Sequence, residues 1–527
     1  MRLRLARIAL RYLRTVRYIA DLLVWSRVFV ARRTLANIQI NDELRAKKAV
    51  AYRQPALAVG GRTGAQHFEH GFSIVYDVLF ANLQMPSHNV HLRHALPGPA
   101  FAGVYLWDSA FIALIWRDWD TEVAYDVLES VIALRRGDQL QHVVQDFVRS
   151  EFTQPPLIAW AAMRLHSQRS GSLARLARFY EALHAYHRWL DRHRRLDNGL
   201  YFWMHPYESG VENSPRFSSR DESRLADTTM LAAPDFSAYM VLQCEALSAM
   251  ATALGHPDAA ARHANEAVRI RDLIEALLWH EEDGLYYDLN VRTGRFVRSR
   301  TIASLIPLAA GVPGEARAAR MRGLLCNASA FGSTIPFPSV ALDDPSFEKD
   351  MWRGPVWINT AYLVLDGLLR YGYEREYAQL AWRLCDGVYR VLEHEHQIYE
   401  FYDPEYFHTR ELRRKKGNWW KAFTLGTRPQ KDFVGWSGLV NPLLIEGLIG
   451  YRRTAAGCVI RPRFPDEARG LSFRLSLPQD DCQLELSVLP DGRVRGRIEH
   501  AGRADPFELA AGEAHPMPAQ AAGAARS

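Results

Sequence analysis

Two glutamates lie four residues apart in the stretch HPYESGVENSP, which covers residues 205–215. Glu212 follows Gly210 and precedes Asn213, and several aromatic residues crowd the same segment. Partial burial among rings raises the pKa of a carboxyl group and holds its proton near neutral pH. Glu212 is therefore a candidate proton donor, and Glu208 is a candidate for the same role.

A second carboxylate in an unusual setting is Glu400, in the stretch IYEFYDP. Tyr399 and Phe401 flank it, so it is either a base or a hydrogen-bonded structural acid. Cleavage of a glycosidic bond uses two carboxyl groups, and their separation sets the outcome: about 6.5–9.5 Å leaves room for a water and inverts the anomeric carbon, whereas about 5–5.5 Å permits covalent attack. Glu212 and Glu400 are candidates for this pair.

Each of these residues also has a structural interpretation. Glu212 and Glu400 can be loop carboxylates that cap a helix or pair with an arginine such as Arg216 or Arg353. Asp108, after Trp107, can be a helix N-cap instead of a ligand for sugar hydroxyls. The aromatic residues of KDMWRGPVWIN can stack on a pyranose ring or belong to the core.

The elements that must position these residues are mainly helices. In TEVAYDVLESVIALRR and EYAQLAWRLCDGVYRVL the apolar residues recur at spacings of three and four, which is the signature of a helix with one buried face. Similar segments follow one another from about residue 65 to 452. About ten to twelve helices over this length favour an all-α toroid of helical hairpins. We expect residues 65–452 to be the catalytic domain.

The ends of the chain differ from this helical part. Residues 1–34 hold nine arginines against one acid, so residues 1–60 are predicted to be a basic amphipathic helical extension. It either lies on an anionic membrane surface through residues 1–34 or packs on the body with its arginines in water. Residues 455–505 alternate apolar and polar side chains, which predicts a small antiparallel β appendage. Residues 511–527 are rich in Ala, Gly and Pro and are predicted to be disordered.

Composition restricts the cellular context. The net charge of +6 is modest for 527 residues, and no run of about 18 apolar residues predicts a transmembrane helix. The five cysteines are scattered and lack C-x-x-C spacing, which favours reduced thiols and argues against a zinc site. We expect a cytoplasmic protein, with contact at the inner membrane surface as the alternative for residues 1–34.

Six motifs occur in an order that resembles one group of glycosidases. The chain is similar to glycoside hydrolase family 63 and its mannosylglycerate and glucosylglycerate hydrolase-like relatives, and more distantly to family 37 trehalases, within the six-hairpin glycosidases. The resemblance covers roughly residues 70–450. The motifs are YLWDSAF (105–111), FTQPP (152–156), HPYESGVENSP (205–215), MWRGPVWIN (351–359), YEFYDP (399–404) and GWSGL (435–439).

The resemblance implies an (α/α)6 barrel and an inverting mechanism with no metal or cofactor in the chemistry. It assigns the general acid to Glu212, where the family has an aspartate and this chain has a side chain one methylene longer. It assigns the general base to Glu400. Trp352, Arg353 and Trp357 correspond to walls of the −1 sugar site. The predicted substrate-binding residues are Tyr105, Trp107, Asp108, Gln154, Glu208, Gly210, Trp352, Arg353, Trp357 and Trp436.

The segment 405–433 departs from the rest, because a basic run from Arg413 to Lys416 is followed by Trp419 and Trp420. It either favours an anionic aglycone or a long glycan above the pocket, or is a solvated loop. No nucleic-acid-binding motif surrounds it, so nucleic acid is not expected as a partner.

The sequence thus predicts an inverting α-glucosidase-like hydrolase that acts on a short α-linked oligosaccharide or a glycosylated small molecule. Two alternatives stay open. Because position 212 holds a glutamate where the family has an aspartate, one alternative is a barrel protein that binds carbohydrate without hydrolysing it. A polysaccharide lyase would need a tyrosine or histidine base, for which His205, Tyr207 and His408 are available.

Overall fold

The computed structural model describes positions 9, 12–13, 16–17 and 20, and then residues 53–61, 64–86, 90–145, 149–169, 172–217, 228–414, 425–454, 457–500 and 502–518. The predictions for the basic extension and its membrane contact lie almost entirely outside these residues, as do those for Lys415, Lys416, Trp419 and Trp420. Within the described chain, no helix combines the length and the apolar character needed to span a membrane.

Helices dominate the part of the chain between residues 66 and 449. They are α1 (Gln66–Ala81), α2 (Leu106–Trp116), α3 (Thr121–Ala133), α4 (Ile158–Arg169), α5 (Leu173–Arg194), α6 (Pro206–Ser209), α7 (Pro234–Ala253), α8 (Pro257–Leu277), α9 (Ile306–Ala309), α10 (Glu315–Cys326), α11 (Ile358–Arg370), α12 (Glu374–Glu395) and α13 (Val440–Pro442), which continues as a π-helix over Leu443–Ile449.

Six of these elements form a closed inner ring. Helix α2 contacts α4, α4 contacts α7, α7 contacts α9, and α9 contacts α11. The short helix Ser437–Leu439, which leads into α13, contacts both α11 and α2 and so closes the ring. Helices α1, α3, α5, α8 and α12 pack around it as a second layer. The chain is a helical toroid.

Sequence pattern explains which helices lie inside. All eleven residues of α2 are buried, because it is apolar on every side and is surrounded by other helices. Helix α12 instead buries one face, which includes Tyr377, Leu384 and Val388, as its spacing predicts. At the start of α3, Oδ1 of Asp120 accepts hydrogen bonds from the backbone N–H groups of Glu122 (2.9 Å) and Val123 (3.1 Å) and caps the helix.

The strands beyond the ring form two antiparallel sheets. One has the order β1 (Ala56–Gly60), β13 (Ser472–Leu477), β14 (Cys482–Val488), β15 (Val494–His500), β16 (Arg503–Leu509), and the other has the order β11 (Tyr451–Thr454), β12 (Gly457–Ile460), β17 (His515–Pro518). Shorter strands lie in the connections of the toroid: β2 (Leu83–Gln84), β3 (His94–Ala95), β4 (Val104–Tyr105), β5 (Val143–Val144), β6 (Leu231–Ala232), β7 (Trp279–His280), β8 (Leu285–Tyr286), β9 (Asp288–Asn290) and β10 (Arg295–Val297).

Two predicted boundaries are wrong. Residues 56–60 were assigned to the helical extension, but they pair with β13 because their short alternating pattern buries Leu57 against the sheet. Residues 515–518 were assigned to a disordered tail, but they pair with β12 and bury Met517. In both cases a partner strand distant in sequence supplies the hydrogen bonds that the local composition does not reveal.

Candidate active site

Four tryptophans from three separate motifs pack into one cluster, which we call the tryptophan box (Trp107, Trp352, Trp357 and Trp436). Trp352 and Trp357 stack face to face with ring centroids 3.8 Å apart. Trp107 lies 6.3 Å from Trp352 and 5.7 Å from Trp436, and Trp436 lies 5.5 Å from Trp357. The box therefore joins loops that are as much as 329 residues apart in the chain (107 to 436).

The loop that carries Glu212 is attached to this box. Its single helical turn, α6, begins after His205, whose Nδ1 accepts a hydrogen bond from the N–H of Tyr207 (3.1 Å), and ends before Gly210. Gly210 has φ 73°, in the left-handed region, and a Cβ added there would lie 2.4 Å from Cζ2 of Trp107. Glycine is required because the backbone turns sharply directly against the indole.

Glu208 anchors the same loop through hydrogen bonds to Arg194 and to backbone N–H groups. Its side chain is fully buried, and its two oxygens accept hydrogen bonds from Nε (2.9 Å) and Nη2 (2.6 Å) of Arg194. The oxygens also accept from the backbone N–H groups of Met204 (2.9 Å) and Thr153 (3.3 Å). Because both oxygens are buried and engaged, the structure contradicts the prediction that Glu208 binds substrate and makes it a structural anchor.

Asn213, next to Glu212, ties this loop to the MWRGPVW motif. Its Oδ1 accepts a hydrogen bond from the N–H of Trp352 (2.9 Å), and its carbonyl oxygen accepts one from Nη1 of Arg353 (3.3 Å). Its Nδ2 donates to Oδ1 of Asp350 (3.3 Å). Glu212, with 9% of its surface exposed, is thus held between the Gly210 turn and the tryptophan box.

Arg216, one of the arginines considered as a partner for Glu212, is engaged elsewhere. Its guanidinium donates to Asp235 (3.0 and 2.6 Å) and to both oxygens of Asp288 (3.3 Å). Burial raises the pKa of Asp288 to about 6, while the charge of Arg216 opposes the shift. This buried triad links the end of the loop that carries Glu212 to α7 and β9.

The motif that carries Glu400 pairs with the same tryptophan-bearing loop. Val356 and Tyr402 exchange backbone hydrogen bonds of 2.9 and 3.0 Å. Phe401 packs on Trp357 with ring centroids 4.7 Å apart. Nε1 of Trp436 donates to the carbonyl oxygen of Glu400 (2.7 Å). The backbone of Glu400 is therefore fixed to two walls of the box.

The carboxylate of Glu400 contacts the guanidinium of Arg414, and each of the two side chains is only 1% exposed. Burial lowers the pKa of Arg414 to about 9, and the nearby charge of Asp350 opposes this. Arg414 is therefore still cationic at neutral pH. A buried cation in contact with a carboxylate favours its ionised form, which is the form that a general base needs.

The other predicted binding residues also lie in or next to the box. Asp108 is the third residue of α2 and is buried, so it is not the N-cap of that helix. Oε1 of Gln154 accepts a hydrogen bond from the N–H of Trp107 (3.3 Å) and fixes the start of α2. Tyr105 is half-buried; burial and the charge of Asp108 raise its pKa. Nη2 of Arg353 lies 3.4 Å from Oε1 of Glu348.

The tryptophans use much of their surface on one another. Trp352 is 1% exposed and Trp357 is 2% exposed, and their mutual stack occupies a face of each ring. Trp436, at 7%, retains slightly more exposed surface. The structure therefore shows these rings as walls that position the two carboxylate loops.

The sequence does not predict the roles of three residues of this arrangement. Its pattern shows Asn213 only as a neighbour of Glu212, indicates nothing for Arg194, and places Arg414 in a basic run. Arg414 could have been identified by looking for a cationic residue near Glu400, because a nearby cation helps to keep a buried carboxylate ionised. Only the fold shows that Arg414 is buried against Glu400.

Two clusters of possible metal ligands occur in the described chain, and neither contains a predicted active-site residue. One consists of His280, Glu282 and Asp283. The other consists of His187, Cys244 and His263. The carboxylates Glu212 and Glu400 belong to neither cluster.

Comparison with known proteins gives consistent matches. The model of the mannosylglycerate hydrolase MGH1-like glycoside hydrolase domain matches residues 102–407, more than half of the chain and including both carboxylates. A mannosylglycerate hydrolase of Thermus thermophilus is 28% identical over 375 residues, covering 57% of this chain and 88% of that protein. Mannosylglycerate hydrolase MGH1 of Selaginella moellendorffii is 26% identical over 379 residues, covering 56% and 75%.

A solved structure has the same fold. The crystal structure of a GH63 mannosylglycerate hydrolase from Thermus thermophilus in complex with glucose superimposes with a TM-score of 0.58 and 25% identity. The alignment covers 70% of this chain and 98% of that chain.

Proposed function

The chain belongs to the mannosylglycerate hydrolase MGH1-like glycoside hydrolases of family 63, and we propose that it cleaves an α-glycosidic bond with inversion, using Glu212 as general acid and Glu400 as general base. Glycoside hydrolysis itself follows from family membership. The toroid is, on this proposal, an (α/α)6 barrel of six hairpins with the reaction at one end of its axis.

One observation carries the proposal: the acid loop and the base loop are both attached to the tryptophan box. Gly210 lies against Trp107, Asn213 is bonded to the N–H of Trp352, and the carbonyl of Glu400 accepts from Trp436. The loops that carry these two glutamates, far apart in sequence, thus both contact one ring-walled region. That convergence is what a two-carboxylate hydrolysis requires.

The two proposed roles need different protonation states. Arg414 is a cation beside Glu400 and favours its carboxylate form, which can take a proton from water as that water attacks the anomeric carbon. Glu212 must hold a proton in its proposed role, and its loop packs through Gly210 against the indole of Trp107. In the proposed step, Glu212 gives its proton to the glycosidic oxygen while that carbon–oxygen bond breaks.

The glutamate at position 212 changes the geometry that the family motif implies. Its carboxyl group lies one methylene further from the backbone than that of an aspartate, and the loop is held firmly by Glu208, Gly210 and Asn213. On this proposal the longer side chain still reaches the glycosidic oxygen of a compact aglycone. Proton transfer of this kind contributes about 10²–10⁴-fold to the rate.

For the substrate we propose an α-glycoside of a small organic acid, with mannosylglycerate and glucosylglycerate as the first compounds to test. Support comes from the named activities of the relatives, which this chain matches over 75–88% of their length. A short α-linked disaccharide is the second class to test.

The experiment is a hydrolysis screen of mannosylglycerate, glucosylglycerate and α-linked disaccharides with wild type, Glu212→Gln and Glu400→Gln. Both substitutions keep the side-chain shape and remove the proton chemistry, so we expect each to lose nearly all activity. Glu405→Gln is the control, because Glu405 is 45% exposed in the same loop as Glu400.

The outcomes separate the alternatives. Equal turnover by wild type and either active-site variant would reject the assignment of residues. Saturable sugar binding without any product would favour the carbohydrate-binding barrel. An unsaturated product that absorbs in the ultraviolet would favour a lyase.

A further inference from the structure

A buried cluster of histidines and a cysteine lies between three helices of the toroid, apart from the residues proposed for hydrolysis. His187 is on α5, Cys244 is on α7 and His263 is on α8. The potential ligand atoms of these three residues lie within 4.8 Å of one another. The side chains are 5%, 0% and 6% exposed, respectively.

A fourth histidine completes the group at its rim. Nδ1 of His184, one turn before His187 on α5, lies 3.2 Å from Nε2 of His263. The rings of His184 and His263 are nearly perpendicular, at 84°, with centroids 5.2 Å apart. Two ring nitrogens at this distance can share one proton, or both can bind one metal ion.

His187 shows a specific sign of an unused ligand position. Its Nε2 lies 3.5 Å from Oδ2 of Asp191, one turn later on α5. Its Nδ1 is buried and has no hydrogen-bond partner among the residues that the structure describes. A buried polar atom without a partner is costly, and a histidine with one nitrogen on a carboxylate is the arrangement in which the other nitrogen binds a metal.

We propose that His184, His187, Cys244 and His263 form a structural site for Zn²⁺. Imidazole nitrogens and a thiolate are the ligands that zinc selects, whereas Ca²⁺ and Mg²⁺ take oxygen ligands. With Zn–N of about 2.0–2.1 Å and Zn–S of about 2.3 Å, tetrahedral ligand atoms lie about 3.3–3.8 Å apart. The 3.2 Å between His184 and His263 is close to this spacing. The ligand atoms of His187, Cys244 and His263, which lie within 4.8 Å of one another, must approach by about 1 Å at most.

In the proposed site, zinc binding takes neutral imidazole rings and a deprotonated thiol. Binding therefore converts the Cys244 thiol to a zinc thiolate and releases one proton to solvent, with no change of oxidation state.

The site would fix α5 to α7 and α8. The same helix α5 ends at Arg194, whose guanidinium binds Glu208 and so anchors the loop that carries Glu212. The five cysteines lack the C-x-x-C spacing of a zinc site whose ligands lie close together in sequence. The four ligands proposed here instead come from three separate helices.

The test uses the full chain, treated with a chelator and then titrated with Zn²⁺ alone against a chromophoric competitor. We expect one equivalent to bind and to raise the melting temperature. Cys244→Ser and His187→Ala are expected to abolish stoichiometric binding. Asp191→Asn, at the carboxylate that contacts His187 and also accepts a hydrogen bond from Tyr201, is expected to weaken binding about 10–100-fold. Cys385→Ser, at another buried cysteine, is expected to bind as wild type does.

Co²⁺ in place of Zn²⁺ gives a second readout that does not depend on stability or activity. A thiolate-to-cobalt charge-transfer band is expected in wild type and in Cys385→Ser, and not in Cys244→Ser. Circular dichroism verifies that each variant is folded. The proposal is overturned if folded wild type takes up no equivalent of Zn²⁺, or if Cys244→Ser shows the same cobalt spectrum as wild type. Neither result bears on Glu212 and Glu400, so the proposed hydrolysis is tested separately.

Discussion

Replacing Arg414 by methionine tests whether this residue keeps Glu400 ionised. Methionine fills similar space but carries no charge. Because each partner is 1% exposed, the pair belongs to the buried class, in which loss of one partner costs about 3–5 kcal/mol, and not to the exposed class, in which it costs at most about 1 kcal/mol. We therefore expect a clear fall in the free energy of unfolding.

The same substitution should change the pH dependence of catalysis. Without the guanidinium, the buried carboxylate of Glu400 loses the cation beside it that favours its ionised form. The acidic limb of the kcat/KM profile should move to higher pH, and activity at pH 7 should fall accordingly.

The assay is the pH profile of kcat/KM together with urea unfolding for Arg414→Met and Arg413→Met. Arg413 is the adjacent arginine and donates to the carbonyl oxygens of Arg410 and Leu412, both at 2.9 Å, at the edge of the loop. We expect Arg413→Met to keep the wild-type profile. An unshifted acidic limb in a folded Arg414→Met enzyme would show that Arg414 does not keep Glu400 ionised.

Two further predictions concern the supports of the site. Gly210→Ala should lower kcat/KM and the melting temperature, because the new Cβ would lie 2.4 Å from Trp107. The control is Gly255→Ala, with φ 74° and no atom within 4 Å of the new Cβ, which should show only the backbone strain of about 1–2 kcal/mol. Equal losses of stability in the two variants would contradict the proposed clash with Trp107. Asp288 has its pKa raised from 3.8 to about 6, so between about pH 4 and 6 the folded state binds more protons than the unfolded chain and the free energy of unfolding falls as pH rises. Asp288→Asn should remove this pH-dependent contribution, which is measured by denaturant unfolding at a series of pH values. If the free energy of unfolding of Asp288→Asn changed with pH as steeply as that of wild type, Asp288 would not be its source.

The fold was predictable where the physical signal is local. Helices α3 and α12 bury one face, so their apolar residues recur at helical spacing. Helix α2 is apolar on all sides, which marks it as an inner helix. Strand β1 could not be predicted, because its hydrogen-bond partners lie at residues 472–476, more than 400 residues later.

The site was predictable as a set of motifs but not as a set of contacts. Spacing and resemblance nominate Glu212 and Glu400. They cannot distinguish a carboxylate that reacts from one that anchors, and Glu208 is the example, because its partner Arg194 lies 14 residues earlier on a different element. Nor can they reveal that Arg414 is buried, because sequence alone does not distinguish it from its neighbours in the basic run.

The central claim, an inverting hydrolysis by two carboxylates, is tested most directly by the configuration of the first product. Proton NMR during early turnover of an α-linked substrate resolves the two anomers of the released sugar before mutarotation mixes them. We expect the β-anomer to appear first and the α-anomer to accumulate only through mutarotation. Initial release of the α-anomer would contradict it, because retention requires the second carboxylate to attack carbon instead of activating water.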